Sequence, residues 1–367
     1  MYTSLFHYAL WRKDISIKEI DYNDIDYLIL TLLSYLRFSI LTNITLPLSL
    51  SSLFSYYKKT NHEYDEVYEL FHMISSSKRY SHIQILDFQC EEDPVIYKQF
   101  FALTYLLENK TLFIVFRGTD DSWVGWKENI TLLYEKSIPS HAASLHYIYH
   151  IINTKTAPFN RFQFFNKLYN YFHPYKLIIA GHSKGGHLAL YSSFHLASSI
   201  QKHIVRIINF DGPGLLLSML EKRNYEHILS KTITYVPTFS FFGLLFYHEE
   251  NFKVIHSTTQ GLNQHDPMSW CVSPMGLIED ELKDESIAFF IKMNTFLNTM
   301  TNEEKKEVFS SLFELFTNLN IYSFNDIYHL KFKHLILSLN TLTHMNSYIR
   351  KKLIIILKLI YFDTGKL

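Results

Sequence analysis

A serine flanked by glycines carries the clearest chemical signal in this sequence. Residues 181–185 read GHSKG, directly after the apolar run Leu177–Ala180 and at the start of the helical pattern Lys184–Ser199. On such a strand–turn–helix segment the serine is held in a strained conformation, and glycines two positions before and after it let the neighbouring backbone pass closely. We therefore predict that Ser183 is a nucleophile. A plain tight turn or a phosphate cradle would also use glycines, but the chain lacks a G-x-x-x-x-G-K-[ST] pattern.

An attacking serine needs hydrogen-bond donors for the negative charge that develops on the carbonyl oxygen of the substrate. The backbone N–H of Lys184 begins the predicted helix, where the positive end of the helix dipole adds to its effect. A second donor is expected after an earlier strand, and Thr119 in FRGTDD, residues 116–121, offers both a backbone N–H and a hydroxyl. An ordinary polar turn, with Arg117 in a structural ion pair, explains the same residues equally well.

A serine hydroxyl becomes nucleophilic only when a histidine takes its proton and a carboxylate orients that histidine. In hydrolases with a serine elbow the chain order is serine, acid, histidine, so the base must lie well downstream of Ser183. Of the 19 histidines, His265 lies in a polar loop after the last predicted strand, and it is the predicted base. His248 and His256 are the alternatives.

Asp211 is the predicted acid, because it ends the predicted strand Ile204–Phe210, from which a carboxylate could reach the histidine. Glu249, Glu250 and Asp266 are the alternative acids. An aspartate that forms a turn and bonds its own loop backbone would explain Asp211 without any catalysis.

The elements that must position these residues alternate short apolar runs with helical patterns. The runs predict buried strands at Thr111–Phe116, Leu177–Ala180, Ile204–Phe210, Thr232–Val236 and Phe252–Ile255. Helices are predicted at Lys184–Ser199 and Leu215–Leu229, and Tyr97–Leu106 is expected to pair with the first of these strands across a polar turn. This alternation predicts an α/β fold with a mostly parallel sheet and helices on both faces.

The flanks of this middle region are poor in glycine and are predicted to be helical additions. Asp24 is expected to cap a helix that places Ile25, Leu28, Leu32 and Leu36 on one face. Thr301 is expected to open a later helix through a capping box. The expected division is an N-terminal helical segment over 1–80, a core over 81–275 and a C-terminal helical region over 276–367.

Composition argues against several other classes of protein. The 35 basic and 35 acidic residues give a net charge of zero, so no overall field attracts nucleic acid. The two cysteines, Cys90 and Cys271, make neither a disulfide framework nor a metal cluster. The N-terminus lacks the features of a secretory signal. We expect a cytoplasmic protein that needs no cofactor or metal, with its oligomeric state left open.

Three segments bear on the substrate. Residues 237–247, PTFSFFGLLFY, would line an acyl pocket, form a lid or lie in the core, and residues 122–134, with Trp123 and Trp126, are a second lid candidate. The basic amphipathic pattern over 345–362 predicts a helix that contacts a membrane surface peripherally or docks on the rest of the chain.

The combination of FRGT with GHSxGG resembles the class 3 lipases. The longer strings FRGTDDSWVGWKENI, GHSKGGHLALYSS, NFDGPG and HSTTQGLNQHDPMSW resemble the Mbeg-like family of lipase-like α/β hydrolases, over residues 1 to 275. The resemblance implies an α/β-hydrolase fold, with Ser183 as nucleophile, Thr119 as an oxyanion residue and His265 as base. His187 stands where the family has asparagine, and residues 234–237 lack the acid that class 3 lipases carry there.

These residues together predict a serine acyl hydrolase, similar to lipases and esterases, that acts on a small-molecule or lipid ester through an acyl-enzyme. A thioesterase or a peptidase would use the same residues. A hydrolase fold without activity that serves in binding, and a scaffold at a membrane surface, are the alternatives from other classes.

Overall fold

The computed structural model of the chain describes residues 3–41, 44–58, 65–120, 122–156, 174–220, 226–319 and 346–362. Eight strands of these ranges form one sheet, in which the strands lie side by side in chain order. They are β1 Leu48–Ser49, β2 Gln84–Asp93, β3 Lys98–Leu107, β4 Thr111–Phe116, β5 Lys176–His182, β6 Ile204–Phe210, β7 Thr232–Pro237 and β8 Asn251–Ile255.

The described residues also form α-helices. They are α1 Leu5–Arg12, α2 Asp24–Leu32, α3 Leu50–Tyr57, α4 Glu66–Ser75, α5 Trp123–Thr131, α6 Pro139–Lys155, α7 Lys184–His195, α8 Ser198–Gln201, α9 Leu217–Leu220, α10 Glu226–Leu229, α11 Asp284–Asn298, α12 Asn302–Asn318 and α13 Ser347–Phe362. None of the helices in these parts of the chain combines the length and the apolar character needed to cross a bilayer.

The sheet is mostly parallel, as the sequence predicts. β3 and β4 form the predicted antiparallel pair, in which Ala102 lies opposite Phe116. From β4 to β8 each strand then runs parallel to the next. Because parallel strands end at one edge of a sheet, the residues that follow β4, β5 and β6 gather at the same edge.

Side chains that alternate along the central strands separate the two faces of the sheet. One set packs against the N-terminal helices in the main hydrophobic cluster and includes Phe113, Val115, Ile178, Ala180 and Ile208. Each large apolar side chain buried in this way stabilises the fold by roughly 1.5–3 kcal/mol. These contacts cover one face of the sheet with helices α1 to α4.

The opposite face is covered by α6 and α7. The ring of Tyr147 in α6 packs against Phe100 and Phe116, and its hydroxyl bonds Thr104 at 2.8 Å. The small residues of α7 lie directly on β5 and β6, since a side chain on Gly186 would lie 1.9 Å from Asn209 Oδ1. The predicted helices on both faces are present, and the fold is of the α/β-hydrolase type.

Three details of the helices differ from the sequence prediction. α2 is capped by Asn23 rather than Asp24, because the Asn23 side chain accepts the backbone N–H of Ile25 at 2.9 Å. α7 ends at His195, since Leu196 is extended with ψ 151°. The predicted helix Leu215–Leu229 contains only the single turns α9 and α10, and residues 221–225 lie outside the described residues.

The chain divides into two compact units. The first comprises residues 1–91, 100–118 and 140–282, and the second comprises 92–99, 119–139 and 283–367. In the second unit the predicted capping box is present, with Thr301 Oγ1 accepting the Glu304 backbone N–H at 3.2 Å. Also there, α13 packs on α12 and buries Ile349, Leu353 and Ile356. The three-part division of the sequence stays a prediction.

Candidate functional site

Ser183 lies in the turn between β5 and α7 in an unusual backbone conformation, with φ 57° and ψ −128°. A residue with a side chain adopts such angles only where the surrounding structure enforces them. The two glycines of the motif permit the turn, because a Cβ on Gly181 would lie 2.1 Å from the carbonyl carbon of Gly185. A Cβ on Gly185 would lie 2.0 Å from the carbonyl oxygen of Phe116. The spacing of the motif is therefore a packing requirement.

The end of β6 is joined closely to this turn. The backbone N–H of Ser183 donates to the carbonyl of Phe210 at 2.9 Å. Asp211 follows Phe210 at once and has a positive φ of 50°. Gly212 lies so close to the turn that a Cβ on it would be 2.2 Å from the Ser183 carbonyl oxygen. The predicted nucleophile and the predicted acid thus come from adjacent strand ends.

Asp211 and His265 are in direct contact, with Oδ2 of the carboxylate 2.6 Å from Nδ1 of the imidazole. Because a carboxylate only accepts, Nδ1–H is the donor, which leaves the lone pair for proton uptake on Nε2. The Asp211 side chain is fully buried, whereas that of His265 is 23% exposed. Burial raises the pKa of Asp211, and its hydrogen bonds with His265 and Ser240 act in the opposite direction.

The loop between β7 and β8 supplies further contacts to this pair. Ser240 Oγ donates to Asp211 Oδ1 at 2.5 Å and accepts the backbone N–H of Gly243 at 3.0 Å. The ring of Phe242 packs on the imidazole of His265, with centroids 4.6 Å apart. These three residues had no individual role in the sequence prediction. The one available signal was the hydroxyl of Ser240 within the mostly apolar run 237–247.

His182 and Tyr35 hold the backbone of His265. Nε2 of His182 lies 2.8 Å from the His265 carbonyl oxygen, and its Nδ1 lies 2.8 Å from the Tyr35 hydroxyl. Burial lowers the pKa of His182 well below its ordinary value, so the ring is neutral. Since a carbonyl only accepts, Nε2–H donates to His265 and Tyr35 donates to Nδ1. The Tyr35 oxygen also accepts the backbone N–H of Gly118 at 3.1 Å.

This network extends what the sequence indicated. His182 lies beside the predicted nucleophile in the motif GHSKG, and the structure gives it a specific contact with the loop of the predicted base. Tyr35 had no predicted role, although it lies beside Leu36 in the predicted N-terminal helix. Its side chain is joined to a histidine 147 positions away, a separation at which sequence spacing carries no signal.

The predicted oxyanion residues occupy different parts of the chain. Lys184 is the first residue of α7, and its side chain is buried. Gly118 lies against the turn, since a Cβ on it would be 2.9 Å from Ser183 Cβ. Thr119 lies in the second unit, and within the described residues its buried hydroxyl has no hydrogen-bond partner. The oxyanion roles of Lys184 and Thr119 stay predictions.

The alternative bases are engaged elsewhere. His248 Nδ1 lies 2.7 Å from Glu250, and His256 Nδ1 lies 2.6 Å from Asp280. Neither carboxylate is the one that contacts His265. The structure therefore brings together His265 and Asp211 and not the other combinations that the sequence left open.

The alternative acids also have other contacts. Glu250 accepts from Thr234 as well as from His248, and Asp266 accepts the backbone N–H of Met268 at 3.0 Å. Glu249 is exposed. In the described parts of the chain, no group of three or more His, Cys, Asp or Glu side chains could hold a metal ion.

The two lid candidates have distinct surroundings. In the segment 237–247, Phe239 and Leu245 are buried, whereas Phe242 is half-buried beside the imidazole. In the segment 122–134, Ser122 caps α5 and Trp123 packs edge-on against Phe313 within the second unit. The first segment thus has a core part and a part that faces His265.

Comparison with known proteins places the chain in a family. Residues 74–314 match the family model of the Mbeg1-like proteins, and the chain belongs to that family, as the motifs predicted. This defines the class of protein as a lipase-like one with an α/β-hydrolase fold.

Two lipase structures are among those similar to the chain. One is a fungal lipase–inhibitor complex described as a model for interfacial activation in lipases, with 16% identity, 57% of this chain and 68% of that chain covered, and a TM-score of 0.35. The other is M37 lipase, with 15% identity, coverage of 58% and 68%, and a TM-score of 0.30. No curated protein matches the chain. At these scores, nothing about the site rests on the two lipases.

Proposed function

We propose that this protein is a serine acyl hydrolase in which Ser183, His265 and Asp211 form a catalytic triad. The observation that carries the proposal is the 2.6 Å contact between Asp211 and His265, beside a serine held at positive φ at the adjacent strand end. A buried carboxylate that fixes the tautomer of a partly exposed histidine is the arrangement that proton transfer from a serine requires. Burial alone would not bring these groups together.

The proposed reaction begins when Ser183 Oγ attacks the carbonyl carbon of an ester and His265 Nε2 takes the hydroxyl proton. Asp211 stabilises the imidazolium that forms. The backbone N–H of Lys184 stabilises the oxyanion. The intermediate then collapses, the alcohol leaves with the proton from His265, and the acyl group stays on Ser183. Water, activated by the same histidine, releases the acid and restores the hydroxyl.

The proposed substrates are small-molecule or lipid esters. The half-buried Phe242 next to His265 favours an apolar group on the substrate at that side of the site. We further propose that the protein acts in the cytoplasm without a cofactor, metal or nucleic acid. Peripheral membrane contact through α13 would use its exposed side chains, since Ile349, Leu353 and Ile356 are buried.

A fluorophosphonate probe tests the proposal, because it labels only serines that are activated as nucleophiles. We expect the full chain to be labelled and Ser183→Ala to be unlabelled. Ser144→Ala is the matched control, since it removes a buried serine hydroxyl that donates to the His141 carbonyl, away from the proposed triad. Labelling without ester hydrolysis would favour a thioesterase or a peptidase. A folded but unlabelled wild type would contradict the hydrolase proposal and favour a binding protein.

A further inference from the structure

The second oxygen of the Asp211 carboxylate is held by a single short loop. Ser240 is buried, and its hydroxyl lies between the backbone N–H of Gly243 and Asp211 Oδ1. An N–H can only donate, so the Ser240 oxygen accepts from Gly243 and its own proton points to the carboxylate. The orientation of this hydroxyl is therefore fixed by the two partners.

Gly243 brings its backbone close to the same oxygen. A Cβ at this position would lie 2.3 Å from Asp211 Oδ1, 2.5 Å from Val236 Cγ1 and 2.9 Å from Ser240 Oγ. No side chain fits in that space. The glycine is thus required for the loop to reach the carboxylate, and its backbone hydrogen bond lowers the pKa of Asp211.

The same turn also contacts the histidine. The 3-10 helix Phe242–Leu244 places the ring of Phe242 against His265 at an interplanar angle of 44°. One segment of four residues, 240–243, therefore bonds the Oδ1 atom of Asp211 and packs on the ring of His265. We call this segment the carboxylate clamp.

The clamp acts where the electrostatic demand is greatest. Asp211 is fully buried, and burial favours its neutral form. Among the described residues, the titratable group that contacts Asp211 is His265. The ring of His182 lies near that of His265, with centroids 4.7 Å apart, and the next residue in the chain is the acid Asp266. A neutral imidazole gives the carboxylate one hydrogen bond but no permanent positive charge. The other donors must then come from the clamp.

We propose that Ser240 is a positioning residue for the reaction, which holds Asp211 as a carboxylate aimed at His265. This inference rests on the proposed function, since the pair matters to catalysis only if the protein is a hydrolase. Its physical content can be measured without any substrate.

The substitution Ser240→Ala removes one charge-assisted donor to Asp211 and one acceptor of the Gly243 N–H. We expect the pH at which the Asp211–His265 pair takes up a proton to rise by about one pH unit, the shift that the loss of one such bond gives. The acidic limb of kcat/KM against pH should rise with it, and kcat should fall about tenfold with little change in KM.

The measurement is a pH titration of the ¹³C-labelled aspartate carboxyl groups by NMR, with the Asp211 resonance assigned by its absence in Asp211→Asn. Ser240→Thr keeps the hydroxyl and should restore the wild-type titration, and Ser144→Ala should leave it unchanged. If Ser240→Ala fails to fold, Ser240→Cys, a weaker donor of similar shape, should shift the titration in the same direction by less.

Two failures are distinguishable. An unshifted titration in folded Ser240→Ala overturns the role of Ser240, even when fluorophosphonate labelling supports the hydrolase. A shifted titration supports the clamp, even when an unlabelled wild type overturns the proposed function.

Discussion

Two buried aspartates in this protein have opposite surroundings. Asp26 accepts two hydrogen bonds from the Arg79 guanidinium, each 2.7 Å long, and further bonds from Tyr8, Tyr80 and the backbone N–H of Asn23. Asp211 accepts from a histidine and from the clamp. Both carboxylates are fully buried. They differ in the exposure of the partner side chain, because Arg79 is completely buried and His265 is partly exposed.

That difference distinguishes an aspartate that stabilises the fold from one that can take part in a reaction. Arg79 is a permanent cation, and its side chain is completely buried with that of Asp26. The pair therefore does not change its protonation state. The side chain of His265 is 23% exposed, and an imidazole can accept and donate a proton. The pair with Asp211 can therefore exchange a proton with a bound molecule. A buried carboxylate whose hydrogen-bond partners are all buried stabilises the fold. A buried carboxylate with a solvent-accessible histidine as partner can support a reaction.

The largest expected effect comes from Asp211→Asn. The amide would favour the wrong tautomer of His265, and we expect kcat to fall by about 10⁴-fold. Hydrolysis of a p-nitrophenyl ester measures the loss. Asp26→Asn is the matched control, and its folded fraction should keep wild-type kcat. Equal losses in both variants would remove the distinction between the two aspartates.

The second effect concerns stability and falls on the other aspartate. Asp26→Asn leaves the Arg79 charge buried without its counter-ion, which should lower the free energy of unfolding by about 3–5 kcal/mol. Urea denaturation followed by circular dichroism provides the measurement. A loss below about 1 kcal/mol would mean that the cluster contributes no more than an exposed ion pair does.

A buried pair of histidines extends the comparison to the pH dependence of stability. His141 and His187 are buried with their Nε2 atoms 2.8 Å apart, and His187 Nδ1 donates to the Gly214 carbonyl. Burial lowers the pKa of His187 from 6.5 to about 4 and that of His141 to about 2. The unfolded chain therefore binds more protons below pH 6.5, and stability falls as the pH drops from 6.5 toward 4.

His187→Asn, which introduces the residue usual in the family, tests this point. Each neutral buried imidazole contributes a slope of up to about 1.4 kcal/mol per pH unit to the free energy of unfolding. We expect the variant to lose its share of that slope between pH 4 and 6.5 while it keeps its activity at neutral pH. Urea titrations at several pH values give the slope. An unchanged slope would show that His187 is charged in the folded protein.

The smallest effect is expected at Tyr35. Tyr35→Phe removes the hydroxyl that links Gly118 to His182, and we expect kcat to fall about tenfold, or ~1.4 kcal/mol, with little change in KM. Tyr105→Phe is the control, since its buried hydroxyl donates to the Leu30 carbonyl and has no contact with the proposed triad among the described residues. Equal kcat values in the two variants would assign Tyr35 to packing alone.

The parts of the fold that sequence predicted are those with strong local patterns. β4 and β6 have the predicted bounds because both are rich in apolar residues, as expected for strands largely covered on both faces. β2 was not predicted, since its sequence QILDFQCEED is largely polar and only partly buried. Asn23 and Asp24 are both good N-caps, so composition alone could not choose between them.

The site divides in the same way. Ser183 could be found because its turn requires a local pattern of glycines, and His265 and Asp211 because they follow strands at one edge of the sheet. The contacts of Tyr35 and Ser240 could not be found, since they join positions 147 and 29 residues apart through tertiary packing. Sequence thus indicated the groups that we propose to react, and the structure adds the residues that contact them.

Trapping the acyl-enzyme tests the central claim most directly. The full chain is mixed with p-nitrophenyl acetate, quenched in acid and mapped by peptide mass spectrometry, with Ser183→Ala and Ser144→Ala alongside. We predict an acetyl group on the peptide that contains Ser183 in the wild type and in Ser144→Ala, and neither acetylation nor turnover in Ser183→Ala. Ester turnover that persists in Ser183→Ala, or that proceeds in the wild type without acetyl on Ser183, would contradict the account.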